Sequence, residues 1–351
     1  MLRNLKEVFG DRCALAVVIV AAVAGQASAE GAPPDLGTIA KEVGFSDSDV
    51  ARIHSGEPVA RILPRPDNAE AFMSGMVRIE ANENALVDLI RRMESLRGDG
   101  RTLQTGPFST PPCLDDLAAL EFETQDFKDL RKCAVADCEM QMDRSTIELA
   151  KCIDWAARDS QAQASRVLKE GLLARVQAYL HAGSLPVYEN NARPEPVASA
   201  IEQILAASPE VVRLDPDLFE YLRHFPTGRL AEVENSTYWA KDKARRPVVS
   251  AVHQCMHRVE YGDRACTFVC LTHVYDSRYF IGYAEFLALL PDPDAPTRSY
   301  FLRSVRALID PPSGLLRGIL LNKIKTQMRD ALTSDLRRIK ERLEAGPSTQ
   351  H

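Results

Sequence analysis

The chain has no surplus of basic charge, few cysteines and only one long uncharged apolar run. Each shortage removes a class of protein. Its 351 residues carry 43 Lys and Arg against 49 Asp and Glu, a formal charge of -6. A general nucleic-acid binder would show a strongly basic face, so no nucleic-acid partner is expected. Eight cysteines are too few for a disulfide scaffold. Charged residues at 26% and hydrophobic residues at 45% exclude a disordered tail and a multi-span membrane protein. The familiar catalytic signatures are missing: G-x-S-x-G, H-E-x-x-H, G-x-x-x-x-G-K-S/T, G-x-G-x-x-G and C-x-x-C. No cofactor is expected, and no catalytic residue is assigned. What is left is a globular protein whose sequence reports compartment and architecture more directly than reaction.

The one apolar run lies at the start. Arg3, Lys6 and Arg12 precede ALAVVIVAAVA at 14–24, and Ala27-Ser28-Ala29 follows. A basic start, a short apolar run and an A-x-A end describe a secretory signal peptide. The run is too short for a comfortable permanent anchor. Residues 1–29 are therefore expected to be removed, which leaves 322 of the 351 residues with a formal charge of -7. The product is expected to be periplasmic or secreted, with no transmembrane segment, in an oxidising compartment. Seven of the eight cysteines remain, an odd number, so at least one is unpaired within the chain. Cys133 and Cys138 bracket a short turn and are the best local disulfide pair.

Residues 30–45 read as a flexible leader and 346–351 as a tail. Between them, 46–345 read as one α+β domain. Strands are expected at 59–63 and 71–81, and a helix at 82–97 after the Asn82 cap. Residues 145–157 and 161–181 have long helical patterns, and 139–142 looks extended. The stretch 145–226 is set apart as a helical insertion. From 238 to 345 the pattern becomes antiparallel strands followed by a long helix. Its apolar residues Leu316, Leu320, Ile324, Met328, Leu332, Leu336, Ile339 and Leu343 recur at steps of four and three, giving one buried stripe. The expected architecture is an antiparallel sheet gripped by a long C-terminal helix, with a large helical insertion.

The richest cluster surrounds Gly262-Asp263, which reads as a two-residue hairpin turn. Positions summing to 525 then face each other: Cys255 with Cys270, His257 with Phe268, His253 with Thr272. Alternation places His253, Cys255, His257, Cys266 and Cys270 on one face. That set fits core packing, a Cys255–Cys270 disulfide or a soft-metal site, with core packing weighted most heavily. A second candidate is Tyr275-Asp276-Ser277-Arg278-Tyr279-Phe280, where Arg278 is placed to fork onto an acidic head group. Tyr275 and Tyr279 would wall the same site, and Tyr238 and Trp239 would line its mouth. The alternative for 275–280 is a bulged strand corner with surface aromatics, and for Tyr238 and Trp239 beside Lys241 a staple of strand to core. The terminal helix is basic, but Asp330, Asp335, Glu341 and Glu344 interleave with its cations. A solvated face is favoured over peripheral membrane contact.

Strands, a helix, a later antiparallel meander and a terminal helix make an order that resembles the helix-grip fold of START-like and polyketide-cyclase-like domains. The resemblance covers residues 59–97 and 238–344. In addition, Tyr238-Trp239-x-Lys241, Pro247-Val248-Val249-Ser250 and Tyr275-x-Ser277-x-Tyr279-Phe280 are similar to segments of a group of exported bacterial proteins without assigned activity. That likeness implies compartment and fold, not chemistry. The leading expectation is non-catalytic binding of a lipid or other hydrophobic molecule, in a pocket between residues 248–274 and the helix stripe 316–332. The ligand-binding candidates are Tyr238, Trp239, His253, His257, Tyr275, Arg278 and Tyr279. One alternative is an unfamiliar enzyme using His253, His257 or His273 with Tyr275 or Arg278. Another is an interaction module that docks through 145–226.

Overall fold

The computed structural model describes residues 35–64, 69–91, 101–261, 264–295, 297–310 and 317–345. The expected signal peptide, the start of the leader, the Gly262-Asp263 turn residues and the tail lie outside them.

The frame is one antiparallel sheet of eight strands: β1 (Val59–Leu63), β2 (Glu70–Ile79), β3 (Thr102–Pro107), β6 (Glu234–Asp242), β7 (Val248–Tyr261), β8 (Arg264–Asp276), β9 (Phe280–Pro291) and β10 (Ser299–Ile309). Their spatial order is β1-β2-β10-β9-β8-β7-β6-β3. A two-stranded ribbon, β4 (Val187–Tyr188) with β5 (Glu195–Pro196), stands apart. Strands β7 and β8 pair from Tyr261↔Arg264 downward, so the expected register holds: Cys255↔Cys270, His257↔Phe268 and His253↔Thr272. That register breaks at one place, between Ala251 and Val252.

Each face of the sheet is apolar along alternate residues, and helices cover both. On one face lie α3 (Glu83–Arg91) and the long α10 (Arg317–Glu344). The closest approach of α10 is to β2. A Cβ on Gly75 would meet Leu336 at 2.7 Å and Leu332 at 2.9 Å, so only a glycine lets the helix sit this low. The expected facing of the helix stripe is thereby corrected: it packs first on β1 and β2, not on residues 248–274. The far side of the sheet also reaches the helix. Arg101, just before edge strand β3, pairs with Asp335 of α10, as does Arg303 of β10 at 3.0 Å. The sheet therefore curls around α10 from both edges.

The opposite face carries α1 (Leu36–Glu42), α2 (Asp47–His54), α6 (Ser160–Ala182), α7 (Val197–Ala206), α8 (Pro209–Leu214) and α9 (Pro216–Arg223). Beside them, α4 (Thr124–Lys132) and α5 (Arg144–Lys151) form a small core of their own with the start of α6. The 145–226 stretch thus supplies much of the sheet's second cover. Helix α6 ends at Gly183, whose φ of +65° and 2.6 Å approach to the Phe225 carbonyl exclude a side chain.

Several expectations are corrected. Residues 36–42 of the leader form α1, capped by Asp35, with Ile39 and Ala40 buried. The helix expected at 145–157 ends at Lys151, and 139–142 forms no strand. Strands β3 and β6 carry weak patterns. β3 is a half-exposed edge that tolerates Gly106 and Pro107, and β6 begins exposed before Tyr238 turns inward. Cys133 and Cys138 form a disulfide with a Cα–Cα distance of 4.4 Å.

Candidate functional site

The sequence candidates separate onto different faces. Trp239, His253, His257 and Tyr275 face the α6–α9 layer, whereas Tyr238 faces α10. Arg278 and Tyr279 lie in the β8–β9 turn.

Most of these side chains already have internal partners. Trp239 donates its indole N–H to the Asp116 carbonyl at 2.8 Å. His253 accepts from Tyr179 Oη at Nδ1 (2.8 Å) and donates from Nε2 to Asn235 Oδ1 (2.9 Å), the pattern of a neutral ring. Burial pushes its pKa down to about 3. His257 binds Asp215 at 2.7 Å, and Asp215 also caps α9 through Leu218 N. Tyr275 lies against Tyr188, with the Arg175 guanidinium 4.5 Å from its ring centre. Arg278 donates to Asp126 (2.9 Å), Asp129 (2.8 Å) and the Glu139 carbonyl (2.8 Å). Its fork therefore ties α4 and the disulfide turn to the sheet. Tyr279 has a φ of +70°, and its hydroxyl accepts from Arg246 N.

The three hairpin cysteines are buried thiols. Burial pushes Cys266 and Cys270 up to about 12 and Cys255 well above its ordinary value. Such thiols supply little thiolate for a metal or a reaction. Among the described residues no group of three or more His, Cys, Asp or Glu is placed to hold a metal. Core packing is the arrangement found.

A cavity of about 20 Å³ lies under α8 and α9, lined by Glu210, Asp215, Leu218, Phe268, Phe286 and Ser304. It has room for one or two waters, not for a lipid. Arg306 closes this region, donating to both oxygens of Glu210 at 3.2 Å and lying 3.5 Å from the Phe72 ring centre.

The α10 face holds a different set. His273 Nδ1 donates to Asp276 Oδ1 at 2.8 Å, and Ser250 Oγ donates to the same oxygen at 2.6 Å. The imidazole lies against the Tyr283 ring, centroids 4.2 Å apart. Tyr283 donates to Glu285 (2.8 Å), which accepts from Arg303 (2.7 Å), and Arg303 reaches Asp335 of the helix. Burial opposes the Arg303 charge, but Glu285 and Asp335 outweigh it and raise its pKa. His273 Nε2 and the Gln254 side-chain oxygen are both buried and have no hydrogen-bond partner among the described residues.

No protein-family model matches the chain, and no curated protein matches it.

The site must therefore be read from its own geometry. Sequence reasoning named His273 only as one of three histidines, held Asp276 only as a member of the 275–280 run, and missed Gln254, Glu285 and Arg303. The hairpin register contained part of the signal, because 252 and 273 also sum to 525. The rest depends on the bulge. In a regular strand, residues three apart point to opposite faces. The irregularity at Val274 reverses that parity, so His273 faces Val252, Asp276 faces Ser250, and the two side chains meet.

Proposed function

We propose that the protein is exported and binds a small, mostly apolar molecule without transforming it, between the curved sheet and α10. The observation that carries this reading is the grip itself. Both edges of the sheet reach one helix, around an apolar interior into which the His273 ring projects beside Phe280 and Tyr283. Ligand sites are mostly apolar with a few placed polar groups, and the resemblance to helix-grip domains points the same way. Entry would be over the first half of α10. There Ile319 stands exposed and so does Leu320, against its expected place in the buried stripe, while Leu321 is buried and Ile324 and Met328 are partly buried. The leader-like N-terminus and the Cys133–Cys138 disulfide support export. Among the described residues no helix is long and apolar enough to cross a membrane.

A second reading has one observation in its favour. An imidazole oriented by a carboxylate, with its other nitrogen open, is the core of an acid–base device. Native mass spectrometry of protein taken from its own exported fraction separates the readings. A retained apolar small molecule of constant mass supports binding. A bare chain, together with turnover of added esters that disappears in His273→Phe, supports the enzyme. Mature protein that begins at Glu30 supports export, and a chain recovered with residues 1–29 intact in the cytoplasm overturns it.

A further inference from the structure

His273 Nε2 and Gln254 Oε1 constrain the chemistry of whatever occupies this face. The Nδ1–H of His273 is committed to Asp276, so Nε2 is the ring atom left to face a ligand, a lone pair whenever the ring is neutral. Gln254 Oε1 is a carbonyl oxygen. Both atoms are buried acceptors lacking a donor. Gln254 faces Leu271 on β8, and His273 is two residues beyond on the same face. That is one diagonal step, about 7–8 Å between backbones and within reach of one small polar head. A buried polar atom without a partner is unfavourable, so each acceptor favours a ligand that brings an O–H or N–H.

The charges nearby narrow the class further. Asp276 stands behind His273, Glu285 lies beside Tyr283, and Asp335 faces them from α10. The cations there, Arg303, Arg101 and Arg338, are already paired with Glu285 or Asp335. A carboxylate or phosphate head would meet two lone pairs and three carboxylates with no cation assigned to it. A charged amine would be buried without a counter-ion of its own.

We propose that the ligand is an uncharged hydrophobic molecule with hydroxyl groups, donating one hydrogen bond to His273 Nε2 and a second to Gln254 Oε1. A long-chain alcohol satisfies one acceptor, and a lipid with a vicinal diol satisfies both. This assignment rests on the binding role proposed above and names its ligand class.

The test is binding of a monoacylglycerol, the fatty alcohol and the fatty acid of one chain length to the full mature protein, by calorimetry. The expected order is monoacylglycerol, then alcohol, then acid, with about tenfold between the first and last. His273→Phe and Gln254→Leu are each expected to lose about tenfold for the monoacylglycerol while leaving the acid nearly unchanged. Gln254→Leu should melt at or above the parent temperature, because it removes an unsatisfied buried acceptor, whereas His273→Phe also takes a donor from buried Asp276 and should melt lower. Equal or tighter binding of the acid overturns the assignment and leaves the binding role standing. So does an unchanged preference in both variants. Binding of none of the three removes the binding role, and this assignment with it.

Discussion

At the scale of residues, the polar groups of this protein divide into those that hold it together and those left open. Arg278 belongs to the first kind. With the guanidinium gone, Asp126 and Asp129 would remain buried, Asp129 held by Arg246 and Gln125 and Asp126 by the Glu123 backbone N–H. Arg278→Leu is expected to lower the unfolding free energy by about 3 kcal/mol in urea titrations. A loss below about 1 kcal/mol would mean that Arg246 takes over the pair. The cysteines divide in the same way. Cys113 and Cys152 are exposed and free, and Cys255, Cys266 and Cys270 are buried with raised pKa values. A thiol reagent should label those two sites in the folded mature protein and all five free sites after unfolding without reductant. Rapid labelling of Cys255 or Cys270 in the folded state would show that the hairpin opens.

At the scale of elements, α10 and β2 depend on one missing side chain. Gly75→Ala places a methyl within 3 Å of Leu332 and Leu336, so the helix must rise or the sheet must flatten. The expected cost is about 1–3 kcal/mol, read from the shift of the denaturation midpoint. Adding Leu336→Ala should recover part of it, since the smaller side chain leaves room for the methyl. Strictly additive losses would show that the two residues do not touch. The β8 bulge works at the same scale. It carries no charge and no motif, yet it decides that His273 and Asp276 share a face. Three basic residues of α10 pair with acids on the same helix. Arg338 lies 3.2 Å from Asp335, Arg329 lies 2.6 Å from Asp330, and Lys340 pairs with Glu344. This is the laced surface expected from the interleaved charges.

At the scale of the whole molecule, stability should depend on pH in two separable windows. An imidazole in an unfolded chain titrates near about 6.5, and burial holds His253 at about 3 in the fold. Between those values the unfolded chain carries a proton that the folded chain does not. Unfolding free energy therefore falls as pH drops from about 6.5 toward 3, by about 2 kcal/mol at pH 5. Urea unfolding at pH 7 and pH 5 should show this loss, and His253→Leu should shrink it. Equal losses in parent and variant would assign the effect elsewhere. Asp49 acts lower. The hydrogen bond from Arg61 holds its carboxyl at about 2, so its contribution is present above its unfolded value and is lost only as pH falls below about 4.

Much of this molecule was legible along the chain, because period and punctuation are local. The long strands β7 to β10, the stripe of α10, the Gly183 stop and the Cys133–Cys138 turn each follow from residues a few positions apart. The hairpin register followed from one Gly-Asp pair. What the chain could not reveal is which face meets which helix. His253 and His273 lie in neighbouring strands and look alike in sequence. One is closed by Tyr179 and Asn235, and the other is open at Nε2. The hairpin register puts the two rings on opposite faces; α6 arrives from a distant segment to close the first, and the extra residue at Val274 brings Asp276 to the second. Periodicity assigns a residue to a face, but only the packing of distant segments determines whether its polar atoms are satisfied there. At His273 and Gln254 the fold leaves them unsatisfied.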